Sequence, residues 1–529
     1  MNKRIWGNIL MMIFVNTLFA QPITTEKWKR FEATFDGPIT GNPYADVTLT
    51  ATFSNNKKTV TVNGFYDGNG KYKIRFMPTE LGTWRYVTSS NQKQLNNRKG
   101  EMNCSPSSAG NHGPVKVWNT YDFQYADGKT YYPFGTTVYA LTHQGKELEE
   151  QTLQSLAASP FNKVRICVFP KNYAYCVNEP TLYPYKSVTN TTSKDGSVRH
   201  TWDFKQFDPI FFQHLEKRID DLDKLGIETD LIIFHPYDKG RWGFDSMGRE
   251  NDVFYIKYLT ARLSSFKNIW WSMANEFDFV KSKNNDDWDL YAKTVTNSDP
   301  YHHLCSIHNG SVYYDYSKPY LTHLSIQNGA AVQEFGRANL LRDAFFKPVV
   351  YDEVCYEGNL TMRWGRLSGE EMVEACWQGI IAGTYVTHGE TFGQLGDTIF
   401  WARGGKLIGE SPERIRFLKN LIETGPGPLH MADEWKDEQT TQHDSTYYLV
   451  YFGKKLQSEW PFSLPKKNGC AAGAKFKAEI VDTWNMTITP VADTFNLAEA
   501  NDYRMLDTQN KKIRLPMKPY MALRLVKVQ

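Results

Sequence analysis

The hydrophobic rhythm of the chain changes twice. From Trp28 to about Val117, short runs rich in β-branched and aromatic residues alternate with turns. They are Ala45–Phe53, Lys58–Val62, Tyr72–Phe76 and Thr83–Thr88, punctuated by Asp67-Gly68-Asn69-Gly70 and Leu81-Gly82. Runs of this length without an intervening amphipathic helix predict a small β-sandwich. From Tyr121 onward the pattern becomes strand then helix. Strands are expected near Tyr132–Tyr139, Lys163–Phe169, Glu228–His235, Ile269–Ala274, Leu304–His308, Leu321–Gln327, Pro348–Asp352 and Gly383–His388. Helical periodicity falls between them, over Glu147–Ala158, Pro209–Leu225, Asn251–Phe266, Trp288–Thr296, Val332–Phe345 and Gly369–Ile381. Eight strands with a helix between nearly every pair predict an α/β fold, a closed (β/α)8 TIM barrel. An open doubly wound sheet would need a glycine-rich phosphate turn after its first strand, and Gly135 stands alone there.

A further helix over Pro412–Ile422 runs into Gly425-Pro426-Gly427-Pro428, a stop followed by a linker. Beyond it, Tyr447–Gly453, Ala474–Asp482 and Tyr520–Val528 read again as strands, so a second β-sandwich is expected. The start, Met-Asn-Lys-Arg followed by the mostly apolar Ile5–Phe19 and then Ala20-Gln21, has the charge, apolar centre and small residue of a secretory signal. The expected organisation is a signal segment over 1–20, an N-terminal β-sandwich over 21–118, a barrel over 119–425 and a C-terminal β-sandwich over 429–529. No later stretch offers the roughly 20 consecutive apolar residues of a membrane span. An exported protein, periplasmic or secreted, is expected.

Composition narrows the chemistry. With 61 basic against 58 acidic residues the net charge is +3, and no basic stripe is concentrated enough to attract a phosphate backbone, so nucleic acid is not an expected partner. The 41% apolar and 14% aromatic content can fill several cores. Seven cysteines leave at least one thiol unpaired. Cys167, Cys305 and Cys355 sit in apolar runs and read as buried small hydrophobes, while Cys167 and Cys176 lie close enough in sequence to pair across a loop. No spacing resembles a zinc site, and no cofactor is expected. The sequence leaves the oligomeric state open.

Two segments carry the candidate chemistry: Trp270-Trp271-Ser272-Met273-Ala274-Asn275-Glu276 and Pro348-Val349-Val350-Tyr351-Asp352-Glu353. Each is an apolar run ending in a carboxylate, which is how a barrel strand delivers charge to the rim where chemistry occurs. Breaking an acetal needs a proton for the departing oxygen and a nucleophile or activated water behind the anomeric carbon, and two carboxyl groups supply both. Asn275 can hold a sugar hydroxyl beside Glu276. Two nearby carboxylates, Glu357 and Glu390, rival Glu353, and Asp278 is expected to support the loop after the fourth strand.

These motifs resemble those of the retaining glycoside hydrolases with (β/α)8 barrels, clan A or the 4/7 superfamily. In that clan an Asn-Glu pair ends strand four, as Asn275-Glu276 does here, and a Glu ends strand seven, as Glu353 does. The resemblance implies that Glu276 is the acid/base and Glu353 the nucleophile. Phe161-Asn162-Lys163-Val164-Arg165 resembles the clan's strand-two pattern, whose Arg bonds the nucleophile. A cation at Arg165 would favour ionised Glu353 while Glu276 keeps its proton. By the same resemblance His235 and His308 are candidate substrate contacts, and His388 lies on the eighth strand. The sixth strand departs from the pattern: it ends in Ser325-Ile326-Gln327, not in a Tyr. Gln327 is a replacement donor, with Tyr356 and Tyr385 as alternatives. Trp401, in the loop after the eighth strand, is a sugar platform or a packing residue. The segments Asn42–Val47, Gly64–Gly68 and Arg75–Pro78 with Gly82-Thr83-Trp84 resemble the module that precedes barrels in bacterial glycoside hydrolases of poorly defined specificity.

The leading expectation is an exported retaining glycosidase acting on a carbohydrate substrate. The competing ones are a non-catalytic carbohydrate-binding barrel and a metal-dependent hydrolase, although no His pair shows zinc-site spacing. The segment Lys171–Asp208 and the loop Tyr237–Arg249 are long enough to wall off a pocket.

Overall fold

The computed structural model describes residues 23–192, 198–329, 335–393, 399–432, 439–466, 468–500 and 503–528. The expected signal segment lies outside the described residues. Parallel strands flanked by helices follow one another through the middle of the chain: β1 (Gly135–Thr137), β2 (Lys163–Cys167), β3 (Glu228–Phe234), β4 (Ile269–Ala274), β5 (Cys305–Ser306), β6 (Leu324–Gln327), β7 (Val349–Glu353) and β8 (Tyr385–Val386). β1 to β5 are hydrogen-bonded in that order, and so are β6 to β8. Parallel bridges between His308 and Ser325 and between Thr136 and His388 join the two runs into a ring. β2, β3, β4 and β7 are buried at every position, as parallel strands covered on both faces must be.

The helices are α1 (Lys146–Ala158), α2 (Pro209–Lys224), α3 (Arg249–Leu263), α4 (Asn285–Ser298), α5 (Phe335–Phe345), α6 (Gly369–Ile381), the single turn α7 (Phe400–Arg403) and α8 (Ser411–Glu423). Their starts are written in local chemistry. Asp208 caps α2 by accepting from the Ile210 amide, with Pro209 in the first turn, and Asn284/Asp287 and Ser368/Glu371 form capping boxes on α4 and α6. The first residues of the expected Val332–Phe345 helix fall outside the described residues.

Between β2 and α2 lies the long segment Lys171–Asp208, to which the sequence assigns no element. Its second half is an antiparallel hairpin of Tyr185–Thr192 with Val198–Phe207. The hairpin packs through Trp202, whose ring lies 4.7 Å from His200 and 4.9 Å from Tyr183.

Ahead of the ring, two sheets share one core. One contains Ile23–Glu26, Lys99–Ser105, Gly82–Ser90, Leu49–Ser54 and Thr59–Asn63 in that order, and the other Phe31–Asp36, Lys71–Phe76 and Phe65–Tyr66. Leu49, Ala51 and Phe53 alternate inward, and Phe53 stacks on Phe76 of the opposite sheet at 4.1 Å. A buried ionic seam ties this unit to the ring: Arg75 grips both Glu216 oxygens at 2.7 and 2.9 Å, and Arg262 reaches Glu216 at 2.6 Å and Asp67 at 2.8 Å.

After the ring the chain forms an eight-stranded antiparallel sheet with a separate two-stranded ribbon, Glu459–Pro461 with Lys512–Arg514. Its strand Tyr447–Gly453 explains a continuous apolar run: Tyr448, Val450 and Phe452 enter the C-terminal core while Tyr447, Leu449 and Tyr451 enter the core of the ring. Trp377 of α6 stacks on Tyr451 at 5.4 Å. All seven cysteines are free and buried, so Cys167 and Cys176 are not paired, and cohesion comes from these cores.

Candidate active site

The two carboxylates reach one site because their strands end in unusual backbone. β4 stops at Ala274, and Glu276 takes a left-handed conformation with φ 50°. That conformation is costly for a side chain with a Cβ and marks a site the surroundings must enforce. The enforcement is visible: the Asn275 amide donates to Phe234 O at 2.9 Å and the Phe277 amide to His308 O at 3.0 Å, pinning both flanks to neighbouring strands. β7 carries a register shift against β6, with Ile326 opposite Tyr351 but Gln327 opposite Glu353. The extra residue, Asp352, lets successive carboxylates both turn toward the middle of the ring. They differ in access: Glu353 keeps 4% exposure and Glu276 5%, whereas Asp352 has none. Only the first two reach solvent.

Arg165, the middle residue of β2, links them. Its guanidinium donates to Glu353 at 3.3 Å, to the Asn275 side-chain oxygen at 2.9 Å and to the Tyr139 hydroxyl at 3.2 Å. Tyr139 in turn donates to Glu353. The Asn275 amide nitrogen then faces Glu276, donating at 3.0 Å. Gln327 donates to the other Glu276 oxygen at 3.2 Å, and the Tyr237 hydroxyl donates to Glu276 as well. His308 lies between the two, with Nε2 at 3.2 Å from Gln327 Oε1 and 3.6 Å from Glu353 and Nδ1 at 3.1 Å from Ser325 Oγ.

The same environment drives the two carboxyls apart. Burial and then the charge of Glu353 push Glu276 up to about 7, with its hydrogen bonds and Lys171 only partly opposing. Burial also works against ionised Glu353, but His308, Arg165 and the hydroxyls of Tyr139 and Tyr356 outweigh it and hold that carboxyl below its ordinary value. Two carboxyls of opposite tendency are what acid and nucleophile roles require.

Of the sequence candidates, Glu276, Glu353, Arg165, Asn275, His308 and Gln327 therefore come together. His235 does not join them directly. Its Nδ1 accepts from the Tyr237 amide at 3.1 Å and its Nε2 bonds Phe169 O at 3.1 Å, so the ring is committed to backbone and reaches the site only by holding Tyr237. Burial lowers it to about 3 and keeps it neutral. Trp401 is half-buried among Tyr356, Tyr139 and Tyr173, with ring centroids 5.2 to 5.6 Å away. Tyr385 bonds Asp122 at 3.4 Å, away from both carboxylates. Asp278 accepts from the Gly310, Ser311 and Val312 amides at 2.6 to 3.0 Å and so ties the loop after β4 to the one after β5.

The rival carboxylates are engaged elsewhere. Glu357 accepts from the Glu410 and Ser411 amides at 2.7 and 3.2 Å, and Glu390 from Ile408 and Gly409 at 2.8 and 2.9 Å. Together they anchor the start of α8. With His388 they form the one grouping of metal-competent side chains found among the described residues, ligand atoms within 4.8 Å of one another. His388 Nδ1 bonds Thr136 at 2.9 Å, and the ring stacks on Phe161 at 4.6 Å.

Sequence reasoning missed Tyr139, Lys171, Tyr173 and Tyr237. Each lies within four residues of the C-terminal end of β1, β2 or β3, or shortly beyond it, on the rim where barrel chemistry is expected. That rim position was the only available signal.

Residues 118–440 match the family described as Apiosidase-like, catalytic domain, and residues 24–91 and 435–526 match two domains of unknown function, DUF5060 and DUF5605. A Bacteroides vulgatus protein assigned provisionally as a glycoside hydrolase is 50% identical, with 96% of this chain and 100% of that chain covered and a TM-score of 0.93. A family 5 glycoside hydrolase from the same species shares the fold at 16% identity, over 78% of this chain and 93% of its own, with a TM-score of 0.57. No curated protein matches the chain. The chain thus belongs to the apiosidase-like family, and with it to the glycoside hydrolases.

Proposed function

We propose that the protein is an exported retaining glycosidase that cuts O-glycosidic bonds of oligo- or polysaccharides by double displacement. Glu353, held ionised beside Arg165 and Tyr139, attacks the anomeric carbon while Glu276 protonates the departing oxygen. Glu276 then removes a proton from the water that releases the sugar. Asn275, His308 and Gln327 bind the substrate and align the carboxyls, and Trp401 offers its ring to a sugar face. The single observation that carries this reading is the convergence of the two carboxyls on one network, Arg165 donating to Glu353 and to Asn275, whose amide donates to Glu276, in surroundings that raise Glu276 and lower Glu353. In the same reading residues 1–20 are a signal segment. The ring is a (β/α)8 barrel over 119–425, and sandwiches over 21–118 and 429–529 flank it.

The test is a panel of aryl glycosides and plant or algal polysaccharides, with the first-formed product anomer read by NMR. Retention of configuration, with activity lost in Glu353→Gln, is expected. Inversion, or turnover surviving in Glu353→Gln, would refute the mechanism.

A further inference from the structure

One cation of the site makes no direct contact with an anion among the described residues: burial lowers the pKa of Lys171, and Glu276 and Glu353 support its charge only from beyond ion-pair distance. Lys171 follows β2 and is only 2% exposed, yet no hydrogen bond or ion pair among the described residues reaches its ammonium. Instead Nζ lies 3.5 Å from the ring centroid of Tyr139, 4.1 Å from that of Tyr237 and 4.8 Å from that of Tyr173. Tyr139 and Tyr237 are the residues whose hydroxyls donate to Glu353 and Glu276 respectively. The ammonium therefore sits between the two carboxylates' own supports, without pairing to either. Aromatic faces recover only part of what burying an ammonium costs. A charge left this way is ordinarily paired, and no carboxylate of the described residues comes within ion-pair distance of it, Glu276 and Glu353 acting on it only at longer range.

The neighbouring groups point in the same direction. The Tyr173 hydroxyl and the Trp401 indole N–H are buried without hydrogen-bond partners, and their rings pack 5.6 Å apart beside Lys171. An ammonium and an indole can only donate. A set of donors with one positive charge calls for an acceptor with negative charge, which a neutral sugar hydroxyl does not provide. Carboxylate oxygens accept only, and their charge matches.

We propose that Lys171 is a specificity-determining residue that binds the carboxylate of an acidic sugar, so that the substrate is a uronic-acid-containing glycan. The proposal rests on the glycosidase reading for the place of the site, but its test is made without turnover. Free glucuronate, galacturonate, mannuronate and guluronate, each beside its neutral counterpart, are titrated by calorimetry into the full-length protein, Lys171→Met and Lys171→Arg.

At least one uronate is expected to bind about 10-fold or more tighter than its neutral counterpart. Lys171→Met should bring that ratio to about one, and Lys171→Arg should keep most of it. An unchanged melting temperature and retained neutral-sugar binding in Lys171→Met show that the fold is intact. Equal affinity for acidic and neutral sugars, no binding by any of them, or a preference that survives in Lys171→Met overturns the proposal. A protein that binds uronates yet cleaves no glycoside removes the glycosidase reading and leaves Lys171 in place. A retaining enzyme indifferent to charge does the reverse.

Discussion

Two buried charged layers lie one above the other inside the ring, and they are built on opposite principles. In the lower one, Lys163 bonds Asp230 at 2.6 Å and Asp352 at 2.7 Å, and Asp352 also accepts from Thr387 at 2.8 Å and from Ser325. Even its glycine serves this layer: a Cβ on Gly135 would come within 2.8 Å of the Thr387 hydroxyl. In the upper layer Glu276, Glu353 and Lys171 are stacked among tyrosines, with one carboxyl raised, one lowered and one ammonium unpaired. Arg165 spans both, its Nε 3.8 and 3.9 Å from Asp230 and Asp352 and its terminal nitrogens on Glu353 and Asn275. Saturated charge orients; unsaturated charge is left for a ligand.

The largest effect that separates the layers is on activity. In the proposed mechanism Glu353→Gln replaces the nucleophilic carboxylate with a neutral amide, so kcat should fall by something on the order of 10⁴- to 10⁶-fold. Its melting temperature should stay close to that of the parent, because Lys163, Asp230 and Asp352 are untouched. Activity assays and thermal unfolding on the same sample check this. A large loss of stability would show that the two layers are one structural unit.

The converse experiment acts below. Lys163→Met removes the close cation from Asp230 and Asp352 and leaves them only Arg165 Nε at 3.8 and 3.9 Å, and breaking a buried pair from one side costs about 3 to 5 kcal/mol. Urea unfolding should show this loss. If instead stability is unchanged and only turnover falls, the lower layer belongs to the chemistry.

How far the sequence reached follows the same division. Glu276, Glu353 and Arg165 were legible because each ends or lies in an apolar strand run, where a charge has no other reason to stand. The choice of Glu353 over Glu357 was open in sequence, because what disposes of Glu357 is a set of amides at Glu410 and Ser411, more than fifty residues on. Lys171, Tyr139 and Tyr237 come from three different rim loops and meet only in three dimensions. The hairpin after β2 has one local signal, Trp202 and Phe204 alternating with polar residues in Val198–Phe207, and a strand-helix rhythm has no place for an extra strand there. His235 shows the limit of strand-end reasoning, since its position was right and its ring was already taken by backbone.

A smaller effect tests the electrostatics of the upper layer alone. With Glu276 at about 7 and Glu353 lowered, kcat/KM should be bell-shaped, and the alkaline limb should fall through about pH 7 as Glu276 loses its proton. The two carboxyls interact, so the limbs belong to the pair. Tyr237 donates to Glu276 and so favours its anion. Removing the hydroxyl in Tyr237→Phe takes that help away, which raises the carboxyl further and moves the alkaline limb to higher pH. A limb that moves downward, or stays in place, would show that Tyr237 does not act on Glu276 in solution.

The smallest effect concerns the edge of the upper layer. Asp278 stands two residues past Glu276 and accepts three amides from the loop after β5, but it touches neither carboxylate. Glu276 does not depend on it for position, since Asn275, Gln327 and Tyr237 hold the carboxyl and the Phe277 amide is fixed to His308 O. Asp278→Ala should therefore cost about 1 to 2 kcal/mol of stability from the lost charge-assisted hydrogen bonds while kcat changes by less than about fivefold. Calorimetric unfolding and steady-state kinetics measure the two together. If kcat drops about 100-fold at nearly unchanged stability, the boundary drawn around the site is too narrow, and the loop after β5 is part of what positions the acid.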